Sequence, residues 1–232
     1  MNDLIIKTEN LSKSFRIPDG ADLVVLDGIN LEIERGVSTS ITGKSGCGKS
    51  TLLQLCASLM RPTSGKIYVN NVNISHLSDK ELCKVRNQSM GFIFQNSLLL
   101  DDFTVKENVA MPQLIAGISP RVAYKKAEEL LDLVGLKDRM KHRGDALSGG
   151  EKQRCAIARS LSMDPSLIFA DEPTGSLDEE RAHDVEELLL NLVREKGCTL
   201  LLVTHDLDFA KRCDTTLELT YHNIKKRGEK DA

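Results

Sequence analysis

Two glycine-rich turns, each opening a helical pattern, carry residue types suited to holding phosphate. The first, "GKSGCGKS" at residues 43–50, fits GxxxxGK[ST] and stands between an apolar-alternating strand pattern and the helical "STLLQLCASL". In that setting Gly43, Gly46 and Gly48 let the backbone turn its N–H groups inward to phosphate oxygens. The helix N-terminus adds partial positive charge. Lys49 would reach the β- and γ-phosphates and Ser50 would offer a hydroxyl to Mg²⁺, while the backbone of Lys44, Ser45, Cys47 and Thr51 completes the cradle. Cys47 reads first as an unreactive passenger; its place beside a helix N-terminus gives the second reading, in which its alkylation or oxidation blocks nucleotide binding.

The second turn, "ALSGGEKQRCAIARSL" at residues 146–161, places Gly149 and Gly150 at a helix start, where glycine costs about 1 kcal/mol against alanine. Ser148 and Glu151 fit the S-x-x-E capping box, which accounts for the serine and glutamate but not for the glycines. Gly149 and Gly150 would allow close backbone approach and an anion site at the exposed N–H groups. Between the turns and beyond them lie polar residues at strand ends. "SLIFADEPTGSLD" reads as a strand over Leu167–Ala170 followed by Asp171, a candidate Mg²⁺ ligand, and Glu172, a candidate base for the attacking water. Gln95 follows "MGFIF" and could bridge metal and water. His205 ends "CTLLLVTH" and either contacts the γ-phosphate or only caps the next helix.

Positioning these groups requires a sheet with helices around it. Short apolar runs at "LIIKTENL", "VVLDGINLEI", "GVSTSITG", "SLIFADE" and "CTLLLVTH", the later ones separated by helical patterns, predict a largely parallel sheet with an early antiparallel flap. Residues 120–134 put Ala127, Leu130, Leu131 and Val134 on one helix face, with Ser119 as cap and Pro120 at the first position. Residues 179–195 align Ala182, Val185, Leu188, Leu189 and Leu192. The stretch of roughly 75–145 is mostly helical by pattern, with a second capping box at Thr104 and Glu107. Pro112 is expected to interrupt or end its helix.

Composition sets the bounds. The 232 residues suit one large domain, or a domain with a subdomain. A net charge of −3, 4% aromatic residues and no tryptophan give no general attraction to nucleic acid, and such a partner is not expected. The six cysteines form no CxxC pair, which fits a reducing cytoplasm. "MNDLIIKTEN" lacks the basic and apolar regions of a signal peptide. No apolar run approaches the roughly 20 residues of a membrane helix, and Lys225 to Arg227 read as a solvated basic tail.

In their order, "GKSGCGKS", "FIFQ", "LSGGEKQR", "LIFADE", "GSLD" and "TH" resemble the ATP-binding subunits of ABC transporters. The resemblance implies an α/β fold: a RecA-like P-loop NTPase core, an antiparallel β subdomain and a helical subdomain inserted at about 96–160 of a single 1–232 domain. It implies ATP and Mg²⁺, with Ser50, Gln95 and Asp171 toward the metal, Glu172 as catalytic base, Gln95 as Q-loop residue and His205 as switch histidine. Asp178 belongs to the D-loop, and Phe15 in "LSKSF" stands where an aromatic stacks on adenine, unless it only packs in the β subdomain. Ser148, Gly149, Gly150 and Glu151 would close over ATP on the opposite protomer of an ATP-bound homodimer.

Residues 92–119 resemble the Lol-type lipoprotein-releasing and MacB-type group, with Lys44 and Ser176 as departures from the commoner residues. This group implies a separate transmembrane permease, docked on the 92–119 surface, and a peripheral place on the cytoplasmic face of the inner membrane. Lipoproteins are the leading cargo, with peptides or antibiotics as alternatives. A division regulator resembling FtsE is a second reading. A soluble ABC ATPase of DNA repair or translation would require a coiled-coil insertion or tandem domains, neither visible in the sequence.

Overall fold

The computed structural model describes residues 3–18, 20–220 and 223–226; Arg227 of the basic tail and Met1 and Asn2 of the leader reading lie outside them. In chain order the elements are β1 Leu4–Arg16, β2 Asp22–Ile29, β3 Glu32–Glu34, β4 Ser38–Thr42, α1 Lys49–Cys56, β5 Ser64–Val69, β6 Val72–Asn73, α2 Asp79–Ser89 and β7 Met90–Phe94. There follow α3 Val105–Ile115, α4 Pro120–Leu133, α5 Gly149–Ser160, β8 Leu167–Asp171, α6 Glu179–Lys196, β9 Thr199–Val203, α7 Leu207–Lys211, β10 Thr215–Thr220 and β11 Asn223–Lys226. They divide into two compact units, residues 1–84 with 199–232, and residues 85–198.

The first unit holds the expected antiparallel flap, in which β1 pairs with β2, β3 and β5. It also holds a parallel set in which β4 lies between β10 and β9, with β11 antiparallel to β10. β9 is the apolar run that a covered parallel strand demands. β4 is not: "STSIT" is buried along its whole length. Its hydroxyls find partners inside. Ser38 Oγ donates to Asp214 Oδ2 at 2.7 Å, Ser40 Oγ to the Ala210 carbonyl at 3.0 Å and Thr42 Oγ1 to the Leu217 carbonyl at 3.1 Å. Each would cost about 1–3 kcal/mol if left unmade.

The second unit pairs β7 with β8 in parallel and packs α5 against β7, with α3, α4 and α6 each set against α5. Its helix starts follow capping chemistry, since Thr104 and Glu107 form the reciprocal box at α3. Ser119 departs from expectation: it precedes α4 with Pro120 at the first position, but its side chain makes no capping bond. Pro112 also departs, because α3 runs through it to Ile115. The bond lost is the one that the Asn108 carbonyl would accept; the Pro112 carbonyl is held by Ala116 N at 3.1 Å and Asn87 Nδ2 at 3.0 Å, which carries the helix on past the ring. On α4 the expected Ala127, Leu130, Leu131 and Val134 are buried. On α6 the buried face is Val185, Glu186, Leu189, Leu190, Leu192 and Val193, so Ala182 and Leu188 lie off its centre.

Candidate functional site

β4 delivers the chain into the first glycine turn, and α1 leaves it with Leu52, Leu53, Leu55 and Cys56 buried. Gly48 is the N-cap of α1 at φ 100°, where an added Cβ would meet Leu26 Cδ2 at 2.8 Å and Val25 Cγ1 at 3.0 Å. At Gly43, φ 149°, a Cβ would lie 2.5 Å from the Leu219 carbonyl oxygen. Only glycine satisfies both backbone angle and space at these two positions. No side chain caps α1 and no acid occupies its first turn, so the positive end of the helix dipole is left for an anion. Lys49 Nζ donates to the carbonyls of Gly43 at 3.0 Å and Lys44 at 3.2 Å, which holds the ammonium across the turn.

Cys47 lies beneath the turn with 1% of its surface exposed, and its Sγ would be 2.9 Å from a Cβ on Gly43. That burial favours the inert reading over reactivity. Phe15 on β1 is half-buried, paired across the strands with Leu23, and carries Lys13 Nζ 5.0 Å from its ring centroid. That contact belongs to the β flap. His205 follows β9, which runs parallel to β4 with Val203 opposite Ile41, so His205 and the glycine turn leave adjacent strands at the same end. Its side chain is exposed; the capping of α7 falls to Asp206, whose Oδ1 accepts from the N–H groups of Asp208 and Phe209.

In the second unit, β7 and β8 end together, with Phe94 opposite Asp171. Gln95 and Glu172 therefore leave neighbouring strands side by side. Glu172 has φ 46°, a left-handed angle rare for a non-glycine residue and held by the turn that follows, where its carbonyl accepts from Gly175 N at 3.1 Å. Gly175 is where the turn meets Gln95, since a Cβ there would stand 3.0 Å from Gln95 Nε2. Ser176 Oγ donates to the Gln95 carbonyl at 3.2 Å, a concrete use for the residue that departs from the usual pattern. Asp178 caps α6 by accepting from Arg181 N at 3.1 Å.

α5 begins on the predicted capping box: Ser148 accepts from Glu151 N at 3.4 Å, and Glu151 accepts from Ser148 N at 2.8 Å. Glu151 also accepts from Arg139 Nε at 2.9 Å. The Arg139 bond first, then the Ser148 N–H, hold its carboxyl down at about 2. The arginine offsets a charge that would otherwise repel an anion at this helix start. Gly149 is explained within the chain, because a Cβ would stand 3.1 Å from Leu177 Cδ2. At Gly150 the nearest atom would be Arg181 Cδ at an ordinary 3.7 Å, so packing inside the chain does not demand that glycine.

Ser50 offers a hydroxyl in the first unit, and Asp171 and Gln95 a carboxylate and an amide oxygen in the second; these are hard oxygen donors of the kind Mg²⁺ takes. Among the described residues no cluster of three or more His, Cys, Asp or Glu could bind a metal unaided. Reading by motif missed Asn108, Gln153, Arg159 and Glu186. Gln153 and Asn108 are buried polar groups that bond loop carbonyls, and Glu186 accepts from Thr174 Oγ1 at 3.2 Å. For Asn108, Gln153 and Glu186 the signal was a polar residue on the apolar face of a helix, whereas Arg159 gave none.

The family model for the ABC transporter matches residues 26–175. The chain belongs to the ABC transporter family. Among its ABC relatives, the lipoprotein-releasing system ATP-binding protein LolD of Syntrophus aciditrophicus is 45% identical over 215 residues, 93% of this chain and 96% of that one. LolD of Bacteroides thetaiotaomicron is 44% identical over 222 residues, covering 96% and 100%. The dimeric structure of MJ0796, a bacterial ABC transporter cassette, superposes with a TM-score of 0.87 at 36% identity, over 97% of this chain and all of that one. A dimeric post-hydrolysis state of the same cassette, bound to ADP and Pi, gives 0.87 at 35% identity over the same shares. The expected P-loop NTPase architecture is thus the fold of this ABC chain.

Proposed function

We propose that this chain is the Mg-dependent ATP-hydrolysing subunit of a lipoprotein-releasing complex, a single ATPase domain that works as an ATP-bound homodimer under a separate transmembrane permease. The observation that carries the reading is the glycine turn at 43–48: two positions that exclude a side chain, an ammonium across the turn, and an uncapped helix start. The relatives named above are lipoprotein-releasing proteins, which favours release over the division-regulator reading. Among the described residues no helix is long and apolar enough to cross a membrane. A peripheral place on the cytoplasmic face of the inner membrane follows from the reading, with the permease as anchor.

In this reading the N–H groups of Gly43 to Thr51 bind the β- and γ-phosphates with Lys49, and Phe15 stacks on adenine. Ser50, Gln95 and Asp171 would hold Mg²⁺, which would supply charge neutralisation on the transferred phosphoryl oxygens. Glu172 accepts the proton of the attacking water. His205 orients that water and the γ-phosphate. Ser148, Gly149 and Gly150 present the α5 N-terminus to ATP on the partner protomer, and the absence of a side chain at Gly150 serves that approach.

The test is Glu172→Gln in the full chain. ATP binding is retained, hydrolysis falls by on the order of 10²–10⁴, and size-exclusion chromatography with ATP gives a dimer. Near-normal turnover refutes Glu172 as the base. Release of lipoprotein from proteoliposomes holding the permease, lost with Glu172→Gln, tests the cargo; transfer of peptide in its place refutes it.

A further inference from the structure

The loop between Gln95 and α3 has no regular structure, yet its carbonyls are taken up one after another by side chains. Phe94 is held by Gln153 Nε2 at 2.9 Å, Gln95 by Ser176 Oγ, and Leu100 by Asn108 Nδ2 at 3.0 Å while its N–H donates to Asn108 Oδ1 at 2.7 Å. The tightest hold falls between these. Arg159 Nη2 donates to the Ser97 carbonyl at 2.6 Å and Nη1 to the Leu98 carbonyl at 2.7 Å. A planar guanidinium that spans two consecutive carbonyls fixes both position and tilt of the peptide between them, which a lysine ammonium cannot do. Leu98 accordingly sits at φ 48°, a left-handed angle kept only where its surroundings over-determine it. Its side chain is 61% exposed, so apolar packing does not supply that constraint.

Arg159 stands on α5, the helix that Ser148 begins, and Gln153 is on the same helix. Eleven residues separate Ser148 from Arg159, a span of about 16 Å along a rigid rod. The loop and the start of α5 also border a common cleft of about 280 Å³, lined by Gln95, Leu98, Leu99, Asp101, Gly149 and Lys152. The guanidinium is half-buried against the loop, and burial lowers its pKa, so its charge is placed at a cost that two carbonyl bonds offset.

We propose that Arg159 is a positioning residue for Gln95: by gripping Ser97 and Leu98 it sets the path of the loop and so the place of the Gln95 amide, and it makes that place depend on α5. The proposal rests on the role given to Gln95 above. Arg159 does not touch nucleotide; its effect passes through the backbone two and three residues beyond Gln95.

The experiment is a double-mutant cycle on ATP hydrolysis by the full chain, with Gln95→Ala, Arg159→Met, Arg159→Lys and the Gln95→Ala/Arg159→Met pair. Binding of a fluorescent ATP analogue and thermal melting are measured for each. The expected result is a kcat at least about 10-fold lower for Gln95→Ala and for Arg159→Met, as displacement of a reacting group by about 1 Å commonly brings. Analogue affinity stays within about 2-fold, and the pair is no slower than Gln95→Ala alone. Arg159→Lys, which reaches one carbonyl, falls between and keeps the fold should methionine disturb it. Additive losses in the pair, or full kcat in Arg159→Lys and Arg159→Met despite lower melting, overturn the proposal and leave the Gln95 role standing. Wild-type kcat in Gln95→Ala overturns that role and the proposal with it.

Discussion

Gly46 and Gly48 are two glycines of one turn, and substituting each with alanine separates what the fold needs from what phosphate needs. Both have positive φ, 77° and 100°, so alanine at either place takes a left-handed angle that costs about 1–2 kcal/mol. The gain from restricting the unfolded chain is the same for both and cancels in the comparison. Their surroundings differ. At Gly46 no atom beyond the adjoining residues lies within 4 Å of the added Cβ, whereas at Gly48 it meets Leu26 Cδ2 at 2.8 Å, Val25 Cγ1 at 3.0 Å and the Val25 carbonyl oxygen at 3.2 Å. Overpacking of that kind adds about 1–3 kcal/mol. Gly48→Ala should therefore be less stable than Gly46→Ala by about 1–3 kcal/mol. With a urea slope of about 3 kcal/mol/M, that separates the unfolding midpoints by roughly 0.3–1 M. Urea denaturation followed by circular dichroism reads the difference without nucleotide, and equal or reversed midpoints refute the packing argument. Gly46→Ala, with its methyl on the open side of the turn, should keep its fold and lose ATP affinity. Wild-type affinity in that variant refutes phosphate binding on that side.

Glu151→Gln keeps an acceptor for the capping box but loses the charge bonded to Arg139. The carboxyl is held at about 2, from 4.5, so its contribution is full above pH 4.5 and fades as pH falls toward 2. With Arg139 48% exposed, the variant should be less stable by only about 1 kcal/mol at pH 7, and the gap should narrow at pH 3; a gap that widens in acid refutes the assignment. N-ethylmaleimide should modify exposed Cys83 in the native protein and leave buried Cys47, Cys56 and Cys155 intact, the last two with thiols that burial pushes up to about 12. A Cys47 adduct that forms before the Cys83 adduct, seen by peptide mass spectrometry, refutes its enclosure. Ser148→Arg should leave nucleotide binding by the monomer within about 2-fold and abolish ATP-driven dimerisation, read by light scattering; an undiminished dimer refutes the facing role of α5.

The parts legible in sequence were those whose chemistry is local. A capping box declares itself within four residues, as at Thr104 and Ser148, and the turn at 43–50 needs glycines where the backbone angle is positive. Strand ends carrying Gln95, Asp171 and His205 followed from apolar runs that stop abruptly. β4 was found for an incomplete reason, since its alternation suggested an apolar strand while its buried hydroxyls depend on partners far along the chain. Pro112 reads as a stop in sequence, and the tertiary bond that its carbonyl accepts from Asn87 is not legible there. Arg159 was invisible for the same reason: among the lysines and arginines of α5 only three-dimensional placement marks the one that grips Ser97 and Leu98.

The hydroxyls of β4 bond to groups between Ala210 and Leu217, and the wall behind Gly43 is the carbonyl of Leu219. During synthesis, at about 5–20 residues per second, the strand that feeds the phosphate turn is thus made early and completed late. For some ten seconds or more it has neither the partners of its buried oxygens nor the surface that shapes the turn. A polypeptide cut short before residue 210 would thus leave the ribosome with its glycine motif intact but without the partners that shape the turn.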